Sequence, residues 1–264
     1  MDAGPLRRED EAGGVSVLTL ADAATRNSLS EAMLAALADA FAVIETDRAV
    51  RCVVLAAEGS VFSSGHHLGE MQAHRNDPDG GRTYVEGLFA RCAVVMTSIA
   101  RLRAPVIAAV EGLATAAGCQ LVATCDLAVA ARSAGFAAPG GKGGWFCHTP
   151  MVAIARDIGR KHAAELAYTG DVITADKALE WGLVNQVVPD ADLDTAVADL
   201  LARATRGSRS SKALGKLTLH QQLAMSQDAA YQLAVQVMAD SSQTAAAQEG
   251  MTAFLEKRSP RWPD

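Results

Sequence analysis

The chain contains 264 residues, of which 50% are apolar and 20% are charged, and it carries a formal net charge of −6. This length and apolar content suit one large domain, or one domain with an appended helical region. An acidic chain lacks the clustered Lys and Arg residues that displace counterions from nucleic acid, so the composition argues against a nucleic-acid partner.

The first residues of the chain, 1–14, are charged and lack the apolar core of a secretory signal. We also find no apolar run of the length that crosses a bilayer. These observations predict a mobile amino-terminal arm over residues 1–14, no membrane partner and a cytoplasmic protein.

Short apolar runs alternate with helical patterns after this arm. The predicted strands occupy residues 15–20, 52–57, 105–110, 126–130 and 184–188. The predicted helices include one that opens at the capping sequence SLSE of residues 28–31, one over residues 84–102, and a short one that begins at Thr174 and ends at Gly182. Strands that alternate with such helices form right-handed crossovers, so we predict an α/β fold with a mainly parallel sheet.

The composition changes near residue 190, where Pro and Gly become sparse and the pattern turns almost wholly helical as far as residue 257. We therefore predict a core domain over residues 15–190 and a separate helical region over residues 191–264. A helical region without an obvious core of its own is expected to pack on the α/β body or on a neighbouring subunit.

Two glycine-containing corners follow two of the predicted strands, FSSGHHL at residues 62–68 and GLATAAG at residues 112–118. If the strands are parallel neighbours, both corners lie at one edge of the sheet and two backbone N–H groups converge on one oxygen. Such a pair stabilises an enolate or a tetrahedral oxyanion, aided by the helix that starts at the second corner. From spacing alone, ordinary strand-to-helix turns explain the same residues equally well.

Seven segments in order give the chain a family resemblance. They are RNSL (26–29), VFSSGHHLGEM (61–71), the run at 109–120, CDLAVA (125–130), FAAP (136–139), GLVNQVVP (182–189) and QEGMTAFLEKR (248–258). Over nearly its whole length the sequence resembles the crotonase (enoyl-CoA hydratase/isomerase) superfamily. The resemblance implies a spiral of ββα units over residues 15–190 and a helical trimerisation region over residues 191–264. It further implies a homotrimer or a dimer of trimers.

The resemblance also implies an activity and a set of site residues. Members bind acyl-CoA thioesters and stabilise their enolates, and the backbone N–H groups of His66 and Ala117 would be the oxyanion donors. Coenzyme A arrives as part of the substrate, so no separate cofactor is expected. The residues implied in substrate binding are Arg26, Ser28, Ser64, Gly65, His66, His67, Leu68, Thr115, Ala116, Ala117, Pro139 and Gly140, with Phe254 and Lys257 contributed by a neighbouring subunit.

The sequence departs from the family pattern at the two positions where a hydratase of this family carries glutamates. Gln120 and Gly140 stand there instead. A glutamine amide orients a water but accepts no proton at neutral pH, and glycine does neither. Gln120 therefore remains only a candidate catalytic residue, and hydration by the two-glutamate mechanism is not expected.

Several side chains are candidates to replace the missing carboxylates. His148, in the loop after Gly140, can titrate near neutrality, although a structural or solvated histidine fits the same position. His67 lies beside the first corner, where a local structural role also explains it. Cys119 and Cys147 would be nucleophiles only with stabilised thiolates. The five cysteines follow no paired spacing and are expected to be reduced and mostly buried, and we expect no metal site.

Two functions of different classes therefore remain. The chain is an acyl-CoA enzyme that stabilises a thioester enolate, as a hydratase, isomerase, thioesterase or decarboxylase. Alternatively, it is an acyl-CoA-binding protein that has kept the pocket and lost catalysis, as Gln120 and Gly140 suggest.

Overall fold

Two sheets form the centre of the computed structural model, which describes residues 4–263. In chain order the strands are β1 (Leu6–Glu11), β2 (Val15–Leu20), β3 (Cys52–Ala57), β4 (Val106–Val110), β5 (Leu113–Thr115), β6 (Leu127–Ala131), β7 (Gly135–Ala137), β8 (Ile173–Thr174) and β9 (Gln186–Val188). The larger sheet has the order β1-β2-β3-β4-β6-β9, and the smaller sheet has the order β5-β7-β8. The β1–β2 and β7–β8 pairs are antiparallel and the other pairs are parallel, which confirms the predicted α/β architecture.

The helices between and after these strands follow the predicted alternation. They are α1 (Glu31–Thr46), α2 (Leu68–Ala73), α3 (Arg82–Arg101), α4 (Ala117–Thr124), α5 (Pro150–Asp157), α6 (Arg160–Thr169), α7 (Ala175–Trp181), α8 (Leu193–Ala204), α9 (Arg209–Gln222), α10 (Gln227–Ser242) and α11 (Ala245–Leu255). The predicted short helix is α7, with Thr174 as its amino-terminal cap and a left-handed Gly182 at its end. The capping residue of α1 is Ser30 rather than Ser28, because the Ser30 Oγ accepts the hydrogen bond from the Met33 N–H.

Residues 6–11 of the predicted mobile arm form the edge strand β1. This strand pairs with β2 along its whole length, from Leu6 opposite Leu20 to Glu11 opposite Val15. The prediction of an arm is therefore wrong for these residues, because the charged side chains of β1 suit an exposed edge strand. Residues 1–3 of the predicted arm lie outside the described residues.

Both faces of the larger sheet are covered, as the continuous apolar runs predict. In β3, Val53 and Leu55 belong to a core that also contains buried residues of α1 and α3. The alternate residues Cys52 and Val54 belong to a second core that α8 completes. Helix α8 therefore belongs to the α/β body. The boundary of this body falls after α8, one helix later than the change of composition near residue 190.

Helix α3 is the one described helix that is long and apolar enough, by length and composition alone, to span a membrane. The prediction that no apolar run has that length is wrong for this helix. One side of α3 packs in the core through buried residues that include Leu88, Cys92, Val95 and Ile99. An amphipathic helix that covers a protein core passes the same test of length and composition.

Helices α9, α10 and α11 bury few residues, and α10 buries none. One buried ion pair fixes α9 to the amino-terminal ends of the strands. The Lys216 Nζ lies 2.6 Å from the Asp126 Oδ2 and donates a further bond of 3.0 Å to the Ala104 carbonyl. The same Asp126 oxygen accepts a hydrogen bond of 2.7 Å from the Val106 N–H at the start of β4.

We expect Lys216→Met to lower the free energy of unfolding by about 3 kcal/mol, because it leaves the largely buried Asp126 carboxylate with only the His220 ring beside it. Urea unfolding at fixed protein concentration measures this change. Arg203→Gln is the matched control, since it breaks an exposed pair with Asp199 and should cost about 0.5 kcal/mol or less. Equal losses in the two variants would contradict a structural role for the buried pair.

Candidate functional site

The two glycine-containing corners meet at the carboxyl edge of the larger sheet, as predicted. Strands β3 and β4 are parallel neighbours, so the chain leaves both of them at this edge. The Ser63 N–H donates to the Leu113 carbonyl at 3.2 Å, and the Thr115 N–H donates to the Ser63 carbonyl at 3.0 Å. A methyl group placed on Gly65 would lie 3.1 Å from the backbone nitrogen of Ala117. The two corners are therefore in direct contact.

The second corner is built around a strained backbone at Ala116. Its φ of 52° and ψ of −118° are unusual for a residue with a side chain and cost about 1–3 kcal/mol. A hydrogen bond of 2.9 Å from the Ala116 N–H to the Ala137 carbonyl holds this conformation. The turn makes Ala117 the first residue of α4, where the N–H has no acceptor within the helix and the helix dipole favours an anion.

The first corner presents the N–H of His66 in the same region. The Gly65 carbonyl accepts a hydrogen bond of 2.8 Å from the Leu29 N–H, and Leu29 and His66 form a parallel bridge. Across residues 4–263 we find no hydrogen-bond acceptor for the N–H of His66 or for that of Ala117. Two unengaged donors thus lie at the contact between the corners.

Asn27 holds the first corner in place, a role that the sequence analysis missed. Its side-chain amide donates to the Glu58 and Val61 carbonyls, both at 2.8 Å, and its Oδ1 accepts from the Asp22 N–H at 2.9 Å. Asn27 is buried and has a φ of 51°. Asparagine tolerates this left-handed backbone better than most residues, which is the one sequence signal that could have identified it.

The predicted substrate-binding residues of segment 26–29 and of the first corner lie next to one another. Arg26 is exposed, and its carbonyl accepts a hydrogen bond of 3.0 Å from the Ser64 N–H. The hydroxyl of Ser64 donates to the Thr25 carbonyl at 3.3 Å. Ser28 is buried, and its hydroxyl donates to the Thr25 hydroxyl at 3.0 Å. Both serine hydroxyls are therefore engaged within the segment.

His67 and Leu68 connect the first corner to α2. The His67 Nδ1 accepts a hydrogen bond of 3.1 Å from the Glu70 N–H, so this imidazole caps the helix. Leu68 is 71% exposed at the surface. The contact observed for His67 is therefore the one that a local structural role predicts.

The loop after Pro139 closes tightly on Gly140. The Trp145 N–H donates to the Gly140 carbonyl at 2.8 Å, and the Gly140 N–H donates to the Cys147 Sγ at 3.3 Å. A methyl group on Gly140 would lie 2.2 Å from the Trp145 oxygen and 2.7 Å from the Cys147 sulfur. No side chain fits at this position while the loop keeps its conformation.

His148 is exposed, and its recorded ring contact is with Phe146, at 5.0 Å between the ring centres. Among residues 4–263, no hydrogen bond or ring contact joins its imidazole to the two corners. Phe254 and Lys257 are exposed near the end of α11, which packs on α9 and α10. Within one chain, these two residues therefore do not join the site.

Two polar side-chain atoms at the corners lack hydrogen-bond partners. Gln120, in the first turn of α4, is 5% exposed, and its Oε1 is enclosed without a hydrogen-bond donor among the described residues. The His66 Nε2 is likewise enclosed and unpartnered, while its Nδ1 lies 3.4 Å from the Leu29 carbonyl oxygen. Burial lowers the pKa of this imidazole below its usual value near 6.5.

An aromatic chain joins the first corner to the loop after Pro139. The His66 ring lies edge-on to the Phe89 ring at 4.7 Å, and Phe89 contacts the Trp145 ring at 5.7 Å. Phe89 comes from α3, and Trp145 from the loop that closes on Gly140. This contact has no local sequence signal, because it joins three segments that are distant in the chain.

The candidate nucleophilic cysteines are buried thiols. Burial raises the pKa of Cys119 to about 12 and also raises the pKa of Cys147, whose sulfur accepts the Gly140 N–H. Neither thiol is activated as a nucleophile at neutral pH. Within residues 4–263 all five cysteines are free, and no three His, Cys, Asp or Glu side chains are grouped as a metal site.

This fold is shared with known proteins. The family model for enoyl-CoA hydratase/isomerase matches residues 10–264, and the chain belongs to that family. It is similar to human mitochondrial enoyl-CoA hydratase domain-containing protein 3, with 41% identity over 98% of this chain and 87% of the relative. The solved structure of the human protein superposes with a TM-score of 0.91 at 41% identity, covering 98% of this chain and 100% of that one.

A solved enoyl-CoA hydratase from Mycobacterium smegmatis is also similar. Its structure superposes with a TM-score of 0.94 and 47% identity, and it covers 99% of this chain and 100% of that one. The comparisons confirm the predicted family and fold class. They contradict the expected cytoplasmic location, because the human, rat and mouse relatives are all named mitochondrial.

We expect Gly140→Ala to destabilise the protein by about 1–3 kcal/mol, because the added methyl group overlaps the Trp145 carbonyl and the Cys147 sulfur. Thermal unfolding and the fluorescence of Trp145 report the change. Gly143→Ala is the matched control in the same loop, since its nearest neighbours would lie 3.6 Å from the new methyl group. If both variants behave like the parent protein, the loop does not hold Gly140 as described.

Proposed function

We propose that this protein is an acyl-CoA enzyme of the enoyl-CoA hydratase/isomerase type that stabilises a thioester enolate. The observation that carries the proposal is the pair of unengaged N–H groups of His66 and Ala117 at the contact between the corners. Family membership supplies the substrate class, and Gln120 and Gly140 in place of the two glutamates leave the reaction that follows enolate formation open.

In the proposed mechanism, the thioester oxygen accepts hydrogen bonds from both N–H groups. Negative charge grows on this oxygen as the enolate forms, and each preorganised donor contributes about 3–4 kcal/mol in a site that excludes water. The Ala117 donor lies at the amino-terminal end of α4, where the helix dipole adds to the stabilisation. The strained Ala116 backbone keeps this donor in place before the substrate binds.

In the proposed complex, the coenzyme A portion is the part of the substrate that lies along residues 64–68 and the exposed Arg26. No separate cofactor takes part. Thr115, Ala116 and Pro139 would contribute to the acyl side of the site through their backbone, and Phe254 and Lys257 would come from a neighbouring subunit. This last contribution requires a homotrimer or a dimer of trimers.

Exposed apolar side chains on the carboxyl-terminal helices support such an assembly. Monomeric proteins rarely leave large apolar areas in contact with water. On α9 to α11 and the adjoining turns, the exposed apolar residues include Leu217, Leu219, Leu223, Tyr231, Val235, Met238, Met251, Phe254 and Leu255.

A binding protein without turnover is the second candidate function. The observation that favours it is the closed loop at Gly140, which leaves no room for the second glutamate. Such a protein would bind acyl-CoA thioesters but would not accelerate any reaction of them. The reactions in question are hydration, isomerisation, thioester hydrolysis and decarboxylation.

We expect Ala117→Pro to lower kcat/KM for an enoyl-CoA substrate by about 10²- to 10³-fold, because it removes one oxyanion donor. The assay follows the absorbance of the conjugated thioester for crotonyl-CoA and longer enoyl-CoAs, with hydrolysis, isomerisation and decarboxylation assayed alongside.

Ala245→Pro is the matched control, because it places proline at the exposed first residue of α11, where helices accept it. Circular dichroism of both variants shows whether each has folded. Parent protein that binds acyl-CoA in calorimetry but turns over none of these substrates would favour the binding protein. Full activity in a folded Ala117→Pro variant would contradict the proposed oxyanion hole.

A further inference from the structure

Two buried polar atoms at the corners make no hydrogen bond within the fold. The His66 Nε2 and the Gln120 Oε1 are both buried and have no hydrogen-bond partner among residues 4–263. Buried polar groups in proteins are nearly always hydrogen-bonded, so an unpartnered acceptor on each of two touching corners points to a group that is supplied from outside the chain.

Both atoms are hydrogen-bond acceptors. A carbonyl oxygen accepts but never donates, so the proximity of the His66 Nδ1 to the Leu29 carbonyl places the ring proton on Nδ1. The Nε2 then carries a free lone pair. Burial keeps the ring neutral at pH 7 by lowering its pKa, and no charged side chain contributes to that change. The groups recorded against the ring are the Leu29 carbonyl and the uncharged ring of Phe89.

The two acceptors belong to residues next to the two proposed oxyanion donors. The imidazole belongs to the residue whose own N–H is the first oxyanion donor. Gln120 lies three residues after Ala117, on the same side of α4 and one turn from the second donor. Gly65 lies against the backbone nitrogen of Ala117. His66 directly follows Gly65, and Gln120 lies one helical turn after Ala117, so both residues are near this contact.

From this arrangement we infer that the His66 imidazole is the proton-transfer group of the site, and that the Gln120 Oε1 helps it to hold one water molecule. The inference rests on the proposed function and assigns the role that the two absent glutamates leave vacant. A water molecule offers one O–H to each acceptor, which pairs both of the atoms that the fold leaves unpaired.

The proposed step adds water across the double bond of an enoyl-CoA. The water oxygen forms a bond to the β-carbon, and one of its protons passes to the His66 Nε2. The electron pair of the double bond moves onto the thioester oxygen, which the two N–H groups hold as an enolate. The imidazolium then returns the proton to the α-carbon, so His66 ends neutral and the product has gained one water.

Phe89 and Trp145 fit this role by shielding the imidazole. The Phe89 ring packs edge-on to His66, and Trp145 covers Phe89 from the loop that closes on Gly140. A shielded neutral imidazole is a base whose proton does not exchange freely with solvent. Its pKa below 6.5 keeps it available as a base throughout the neutral range.

The test distinguishes the contribution of the His66 imidazole from that of the His66 backbone N–H. His66→Ala keeps the N–H donor and removes the ring, and His66→Gln keeps a side-chain acceptor that cannot take a proton. We expect each variant to lower kcat for crotonyl-CoA by about 10²- to 10⁴-fold. His162→Ala is the matched control, since this histidine stacks on Trp181 of α7 and should leave kcat unchanged.

A second measurement reports on the oxyanion hole without any proton-transfer group. Acetoacetyl-CoA ionises to an enolate when two donors hold its oxygen, and the enolate absorbance of the bound ligand is measured for each protein. We expect both His66 variants to retain this absorbance. We also expect kcat/KM of the parent protein to fall only in acid, as the pH drops through the pKa of this imidazole, which burial lowers below that of a free histidine. The residual activity of His66→Ala should lack this pH dependence.

The outcomes are distinct. Loss of turnover with retained enolate absorbance in His66→Ala, or in His66→Gln where His66→Ala does not fold, supports the inference. Turnover within about threefold of the parent in folded His66→Ala overturns it. Loss of both signals in both variants also overturns it, because the ring would then act by holding the corner. Parent protein with the enolate absorbance but no hydration overturns this inference alone. Parent protein without that absorbance overturns the proposed function itself.

Discussion

The direct contact between the loop after β3 and the turn after β4 is the constraint on which the site depends. The hydrogen bonds from Ser63 to Leu113 and from Thr115 to Ser63 align the two segments. The absence of a side chain at Gly65 and at Gly118 allows the final approach, because a methyl group on Gly118 would lie 2.3 Å from the Ser63 carbonyl oxygen. The sheet, Asn27 and the turn at Ala116 all act to preserve this contact.

The chemistry of the site follows from what surrounds the contact. The backbone supplies two unengaged N–H donors, position 120 carries an amide side chain, and position 140 is a glycine held in a closed loop. A neutral imidazole and an amide oxygen then remain as the enclosed acceptors. In the proposed mechanism, proton transfer relies on a group whose pKa is lowered by burial, whereas burial would raise the pKa of a carboxylic acid in the same place.

Much of the fold could be predicted from the sequence, because a strand covered on both faces is a continuous apolar run. The runs at β2 and β3 were predicted at their observed bounds for this reason. The edge strand β1 was missed, since one polar strand at a sheet edge has no apolar periodicity to identify it. The three short strands of the smaller sheet, β5, β7 and β8, are too short for a pattern to be distinguished from a turn.

The site was predicted in part for a similar reason. Glycine and alanine spacing after neighbouring strands indicated the two corners, but the side-chain contacts between distant segments gave no local signal. The aromatic contact from His66 through Phe89 to Trp145 and the capping role of His67 depend on three-dimensional packing. His148 is exposed in the loop that closes on Gly140, and no observed contact joins it to the corners.

The tight loop at Gly140 also constrains how the sequence can change. Any side chain at this position overlaps the Trp145 carbonyl and the Cys147 sulfur, so the loop must open before a glutamate can enter. A substitution at Gly140 alone therefore gives a variant with a disturbed loop. The packing of this one glycine restricts how the position evolves, because a side chain is accepted there only after neighbouring residues of the loop have changed.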